Sequence, residues 1–260
     1  MNNITRLKQI MAQLRDPEKG CPWDVEQDFE SISPHTIEEA YEVVDAIEKG
    51  DMHALKEELG DLLLQVIFHS QMADELGHFK FDDVVEVLNQ KLISRHPHVF
   101  GDAEIKTAQE QEASWENIKK QERDKKAKDG HASLLDGIAV TLPALTRAVK
   151  IQKRAAKVGF DWPDISYIFN KIEEEVGELK EAIKDGGNIE EEYGDLLFIT
   201  SNLARRLDLD PEVALRGCIA KFERRFHYIE KRLAQRNKNP EISSLEEMDV
   251  LWDEAKKLEK

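Results

Sequence analysis

The sequence predicts an all-α protein made of two tandem copies of one helical-bundle unit, and three observations carry that expectation. Among 260 residues, 35% are charged while glycine (13) and proline (8) are few, and long stretches are rich in Ala, Glu, Lys and Leu, a balance that favours helices. Apolar residues recur at i, i+3, i+4 and i+7, as in Ile4, Leu7, Met11 and Leu14, which is helical period. An acidic pattern occurs twice. Glu38-Glu39-Ala40-Tyr41-Glu42 precedes Glu57-Glu58-Leu59-Gly60-Asp61-Leu62-Leu63, and Glu174-Glu175-Val176-Gly177-Glu178 precedes Glu191-Glu192-Tyr193-Gly194-Asp195-Leu196-Leu197.

The elements follow in order. A first helix runs from about Ile4 to Leu14, and Asp16–Asp24, with two prolines and a glycine, breaks it. Ser33-Pro34 has the form of an N-cap followed by proline at the first helical position. The helix it opens carries Glu38–Glu42 and ends near Gly50. Asp51 caps a long helix through Met72, and Asp82/Asp83 open another that stops before His96-Pro97. Thr107-x-x-Glu110 is a capping-box start for a polar helix to about Lys128. The unit 1–128 is then followed by a linker, 129–142, containing Gly130 and Gly137. The second unit, 143–260, repeats the order: a helix from Pro143, a break at Gly159–Pro163, and a helix capped by Asp164 that carries Glu174–Glu178. A Gly186-Gly187 turn, the Glu192/Asp195 helix, a helix from Asp210-Pro211 and a last one boxed by Ser244-x-x-Glu247 complete it. The correspondence extends to Gly20-Cys21-Pro22-Trp23-Asp24 with Gly159-Phe160-Asp161-Trp162, Lys91/Arg95 with Lys221/Arg225, and Trp115/Lys119 with Trp252/Lys256.

Carboxylates three residues apart share a helix face, so Glu39/Glu42 can meet Glu58/Asp61 across an antiparallel helix pair, and Glu175/Glu178 can meet Glu192/Asp195. Spacing within each pair is kept while the gap between pairs changes from 16 residues (Glu42 to Glu58) to 14 (Glu178 to Glu192). The loop changed length and the ligating geometry did not. Two carboxylates about 4 Å apart repel by roughly 4 kcal/mol at an effective dielectric near 20, so each cluster demands a cation. An all-carboxylate set suits Mg²⁺, with Mn²⁺ as a substitute, and Mg²⁺ commonly shares its coordination with substrate phosphates. The stripes continuing from Asp61 and Asp195 are apolar nearly all round, which marks buried helices.

Other residues extend this chemistry toward a polyphosphate. Lys221 and Arg225 share a face and either hold phosphate oxygens or pair with a nearby Glu223 or Asp249. Trp252 either stacks on a nucleobase, with Lys256 on the phosphate chain, or is core. No Ser/His/Asp or Cys/His arrangement offers a covalent nucleophile, so water is the expected attacker. The spare carboxylates Glu38 and Glu174, or Glu57 and Glu191, are placed to activate it. No G-x-x-x-x-G-K-[ST] loop exists, which excludes a P-loop NTPase. The net charge of −16 argues against nucleic acid as a partner. Two cysteines, Cys21 and Cys218, are too few for a disulfide framework or zinc site. With neither a signal-peptide run nor an 18-residue apolar stretch, a cytoplasmic protein with no membrane partner is expected.

Taken together, GCPWD at Gly20–Asp24, the four acidic motifs, HPHVF at His96–Phe100, VGFDW at Val158–Trp162 and KFERRF at Lys221–Phe226 resemble the MazG family of nucleoside triphosphate pyrophosphohydrolases. That family lies within the all-α NTP pyrophosphatase superfamily, and the resemblance spans both halves. It implies a helical bundle, a homodimer, and Mg²⁺-dependent hydrolysis of NTP to NMP and pyrophosphate. Carried onto this sequence, it places metal on Glu175, Glu178, Glu192 and Asp195, with a second site at Glu39, Glu42, Glu58 and Asp61. It places nucleotide on Lys171, Lys221, Arg225, Trp252 and Lys256, and makes the C-terminal unit the main catalytic one; with the spare carboxylates read above, the expected catalytic group there is Glu174, Glu175, Glu191, Lys221 and Arg225. Broad base tolerance is expected from stacking on a single tryptophan. Two other readings remain: a non-catalytic Mg-nucleotide sensor using the same residues, and a di-iron bundle, which wants two Glu-x-x-His motifs where the chain has only Glu75-x-x-His78.

Overall fold

In the computed structural model, which describes residues 2–105, 107, 109–111, 114–115, 117–118 and 133–259, every regular element is helical. The chain divides into two compact units, Met1–Lys119 and Lys120–Lys260. Among the described residues the first contains α1 (Asn3–Leu14), α2 (Pro22–Glu26), α3 (Phe29–Lys49), α4 (Met52–Glu75), α5 (Phe81–Arg95) and α6 (Pro97–Phe100). The second contains α7 (Ala144–Ala156), α8 (Ile165–Asp185), α9 (Ile189–Arg206), α10 (Pro211–Ala234), a 3-10 turn (Pro240–Ile242) and α11 (Leu245–Leu258). No described helix is long and apolar enough to cross a membrane. The helix expected from Thr107 to Lys128 lies largely outside the described residues, although Thr107 Oγ1 does accept the Glu110 N–H at 3.1 Å.

Each unit is organised on one antiparallel hairpin, α3–α4 or α8–α9. Gly50 (φ 68°) and Gly186 (φ 76°) end the first helix of each pair in the left-handed region, where a Cβ is costly. Asp51 then caps α4, accepting from the His53 and Ala54 N–H groups at 2.9 and 3.0 Å. Asn188 does the same for α9. α1 packs on α4, and α7 packs on α9, so the second hairpin helix is central in each unit.

One boundary differs from the sequence expectation. α3 starts at Phe29, capped by Asp28, and Pro34 lies inside the helix. Asp28 wins because it builds a reciprocal box: its Oδ1 accepts from Ser31 N–H at 2.8 Å, and Ser31 Oγ accepts from Asp28 N–H at 3.0 Å. The carbonyl that Pro34 leaves without an amide partner, that of Glu30, instead takes the Ser33 hydroxyl at 3.0 Å. At the other end of the unit, Pro97 does stop α5 at Arg95, whereas α10 runs uninterrupted past Arg225 to Ala234. Trp115 closes that end, donating from Nε1 to the Arg95 carbonyl at 2.9 Å.

The two cores are not alike. In the first unit Met11, Ile32, Ile67, Phe68 and Met72 form one buried cluster, with Leu7, Leu14, Leu63, Leu64 and Phe81 against it. In the second, the apolar cluster of Ile229, Leu233 and Leu251, with Phe226, Met248 and Trp252, ties α10 to α11. Around α9 the buried residues include Gln152, Glu175, Ser201 and Asn202. The central helices also keep apolar residues at the surface, among them Leu59 and Val66 on α4 and Tyr193, Leu197 and Phe198 on α9. Apolar character all round therefore does not bury these helices within one chain.

Candidate metal and nucleotide site

The hairpins bring acidic side chains together in both units. Oxygens of Glu39, Glu58 and Asp61 lie within 4.8 Å of one another, as do those of Glu175, Glu192 and Asp195. The fourth member of each expected set stands beside this group rather than in it. The charge of Glu42 bears on Glu58, and Glu178 feels Lys171, Glu175, Glu174 and Glu192 through space. Desolvation first, then the charges of Asp61, Glu42 and Glu58, raise the Glu39 carboxyl above its ordinary value. Glu58 and Glu178 are raised as well, each chiefly by desolvation. Such a cluster holds its protons more tightly than isolated carboxylates until a cation compensates it.

The C-terminal cluster is the more enclosed. Glu175 is 5% exposed, and its Oε1 takes the Lys171 ammonium at 2.8 Å, while its Oε2 is buried with no hydrogen-bond partner. Lys171 also reaches Glu174 Oε1 at 2.8 Å, and those two hydrogen bonds raise the ammonium pKa. A buried carboxylate oxygen left unsatisfied is costly, and it belongs to a residue grouped with two further carboxylates. Residues and geometry both fit a divalent cation of the Mg²⁺ type.

The remaining expected site residues separate into two groups. Glu191 sits at the start of α9, its side chain taking Asn188 Nδ2 at 2.9 Å. In the other spare positions, Glu38 lies 3.3 Å from His35 and Glu57 lies 3.2 Å from His53. Lys221, Arg225, Trp252 and Lys256 gather instead on α10 and α11. Arg225 donates to Glu259 Oε2 at 2.6 and 2.8 Å and lies 5.3 Å from the Trp252 ring centroid. Trp252 packs on Phe222 at 5.3 Å and against the α10–α11 core, so much of its ring is already in use. Lys256 pairs with Asp253 at 3.0 Å. The hydrogen bond and charge of Arg225, opposed by desolvation, hold the Glu259 carboxyl below its ordinary value. A carboxylate thus occupies the basic face that the sequence suggests for phosphate. Lys119, the expected N-terminal counterpart of Lys256, lies outside the described residues.

Sequence reasoning passed over a cavity of about 390 Å³ in the second unit. Gln152 on α7, Phe198 and Asn202 on α9, and Trp162 form part of its wall, and Leu134 and Leu135 close one side. Gln152 Nε2 donates to the Phe198 carbonyl at 2.9 Å, which fixes the amide, and its Oε1 is buried without a partner. Arg205 Nε donates to Asn202 Oδ1 at 2.9 Å while its guanidinium grips Asp161 Oδ1 at 2.5 Å. Arg154 fastens the 134–136 segment by donating to the Leu134 carbonyl at 3.1 Å and to that of Asp136. The available signal was Gln152 standing at an apolar-stripe position of α7.

Comparison with known proteins agrees with the doubled motif. The model of the MazG nucleotide pyrophosphohydrolase domain matches twice, at residues 27–100 and 165–229. The chain is 49% identical over 263 residues to the nucleoside triphosphate pyrophosphohydrolase of Escherichia coli (strain K12), covering 100% of this chain and 99% of that one. It is 47% identical over 250 residues to the nucleoside triphosphate pyrophosphohydrolase/pyrophosphatase MazG of Thermotoga maritima, covering 96% and 94% of the two chains. The uncharacterized protein YabN of Bacillus subtilis (strain 168) is 42% identical over 262 residues, which span this whole chain but 53% of YabN. With two matches to the domain in its two hairpin-based units and full-length identity near one half, the chain belongs to the MazG nucleotide pyrophosphohydrolase family.

Proposed function

We propose that the protein is a Mg²⁺-dependent nucleoside triphosphate pyrophosphohydrolase that converts NTP and water to NMP and pyrophosphate, chiefly in its C-terminal unit. The observation that carries this reading is the convergence of oxygens of Glu175, Glu192 and Asp195 within 4.8 Å of one another, in a chain whose near relatives are named for that activity. Glu175, Glu192 and Asp195 would hold the cation, with Glu178 joining from the next turn of α8. Bound there, Mg²⁺ would neutralise phosphate charge and make its water more acidic.

The chain's own groups do the rest. Glu174 takes the proton of the attacking water at Oε2, since its Oε1 is engaged by Lys171. The water oxygen bonds the α-phosphorus, the bond from that phosphorus to the oxygen bridging to the β-phosphate breaks, and pyrophosphate leaves. Lys171 orients Glu174 and Glu175 through its two ion pairs, and turns an N–H toward the charge that grows on the phosphate oxygens. Lys221, Arg225 and Lys256 take the outer phosphates once Glu259 yields its place, and Glu191 stays with α9 as a helix-capping group. The exposed Tyr193, Leu197 and Phe198 surface suits a second copy of the chain, so the active form is a homodimer.

Product analysis after incubation with NTP and Mg²⁺ tests this directly. NMP with pyrophosphate, lost on chelation, is the expected result. NDP with phosphate would refute attack at the α-phosphorus, and intact nucleotide across a panel of NTPs would make the protein a Mg-nucleotide sensor instead.

A further inference from the structure

Glu259 stands where a helix on its own disfavours a carboxylate. It is the C-cap residue of α11, and the C-terminal end of a helix carries partial negative charge that prefers cations. Lys256 and Lys257 in the last turn meet that preference; Glu259 does not. What holds it lies on the neighbouring helix. Its Oε2 accepts from Arg225 Nε at 2.8 Å and from Arg225 Nη2 at 2.6 Å, and its Oε1 lies 3.7 Å from Arg224 Nη2. The charge of Lys221 bears on it as well. Arg225 and Glu259, with Asp253, Lys256 and Lys257, line a cavity of about 510 Å³.

The two partners are held unequally. Arg225 is 15% exposed and rests 5.3 Å from the Trp252 ring centroid, and that ring is fixed by Phe222 at 5.3 Å and by the α10–α11 core. Its guanidinium therefore stays in position whether or not Glu259 is there. Glu259 is 31% exposed, and the contacts that hold it are its ion pairs to Arg225 and Arg224. If it swings away, two oriented N–H donors remain at the cavity wall. A guanidinium fork accepts phosphate oxygens as readily as carboxylate oxygens, and a partly exposed ion pair is easily given up.

We propose that Glu259 is a tethered competitor for the outer phosphates: it holds Arg225 when no nucleotide is bound, is displaced by an NTP, and returns to Arg225 as pyrophosphate leaves. This rests on the nucleotide chemistry proposed above and adds to it a device that acts on one product and spares the other. A ligand that uses Arg225, whether NTP or pyrophosphate, must displace the carboxylate. NMP keeps only the phosphate at the cleavage end and need not. Glu259 thereby loosens pyrophosphate, which would otherwise be retained by the cationic face of Lys221, Arg224, Arg225, Lys256 and Lys257, and leaves the affinity for NMP alone.

The test uses the whole protein, with methylenediphosphonate, whose bridge cannot be hydrolysed, standing for pyrophosphate and AMP as the single-phosphate product. In Glu259→Gln the inhibition constant of methylenediphosphonate should fall about two- to fivefold, the range for one exposed ion pair, while that of AMP stays unchanged. Glu246→Gln removes the same charge from the first turn of α11, about 20 Å away along the axis and beyond the screening length at physiological salt, and should alter neither constant. An unchanged methylenediphosphonate constant in Glu259→Gln overturns the proposal, and so does an equal fall for AMP or the same fall in Glu246→Gln. If the wild type turns over no NTP, the catalytic reading fails, and calorimetric titration of the two ligands with Mg²⁺ decides the role of Glu259 by itself. Tighter methylenediphosphonate binding in Glu259→Gln with unaltered AMP binding supports it. Equal affinity of the two proteins for methylenediphosphonate, or no binding by either, overturns it.

Discussion

Glu175→Gln is the substitution whose consequence can be worked furthest from the structure. The Glu175, Glu192 and Asp195 oxygens lie within 4.8 Å of one another, a spacing at which two carboxylates repel by about 3.5 kcal/mol at an effective dielectric near 20. Asp195 is exposed and Glu192 half-buried, so solvent cuts each term well below that figure. Removing the Glu175 charge relieves this repulsion but also ends its 2.8 Å pairing with Lys171. The opposing effects leave the metal-free variant within about 1 kcal/mol of wild type, close to the net worth of one hydrogen bond. With cation the difference is large. At 100 times its dissociation constant, Mg²⁺ adds about 2.7 kcal/mol to a protein that binds it only when folded. For a domain of this size that is a rise in Tm of about 10 °C. Calorimetric scans with chelator and with increasing Mg²⁺ should therefore show a cation-dependent rise in wild type and almost none in Glu175→Gln, with turnover lost in the variant. A wild type indifferent to Mg²⁺, or a variant that keeps the rise, would refute the assignment of this cluster as a metal site.

Other outcomes can be checked independently. Desolvation raises the Asp161 carboxyl, but the Arg205 hydrogen bond and charge outweigh it, so its folded pKa is below the ordinary 3.8. Its contribution to stability is complete above 3.8 and is lost as pH falls through the folded value. Asp161→Asn should cost about 2–3 kcal/mol at pH 7, less than a fully buried pair because Arg205 keeps Asn202, and urea titrations should show the cost fading below pH 3.8. Glu259→Gln should free Arg225 and lower KM for NTP by about two- to fivefold, as one exposed ion pair is worth little; an unchanged KM would mean Glu259 does not compete with substrate. Met11→Ala should destabilise the first unit by about 2–5 kcal/mol in denaturant unfolding, the usual cost of truncating a buried long side chain.

The hairpins and acidic pairs were legible because periodicity and i, i+3 spacing act locally. Glu39 with Glu58 and Asp61, and Glu175 with Glu192 and Asp195, converge as the spacing implied. The α3 start was misplaced because Ser33-Pro34 and Asp28-x-x-Ser31 are both good starting signals. Only the second returns a hydrogen bond in each direction. Trp252 could not be assigned from spacing, since core packing on Phe222 and contact with Arg225 depend on how α10 meets α11. Gln152 was overlooked for a related reason. Its significance lies in what faces it across the α7–α9 contact, 46 residues away in sequence.

The contrast between Phe68 and Asn202, each seven residues after the aspartate of its hairpin, bears on how this protein can evolve. A stably folded module tolerates few buried polar groups, and function is commonly bought at the expense of folding strength. Two copies in one chain loosen that constraint: one can retain a dry interior while its sibling accumulates polar lining. Substitutions around Asn202 could then accumulate while the hydrophobic interior of the other half stays untouched.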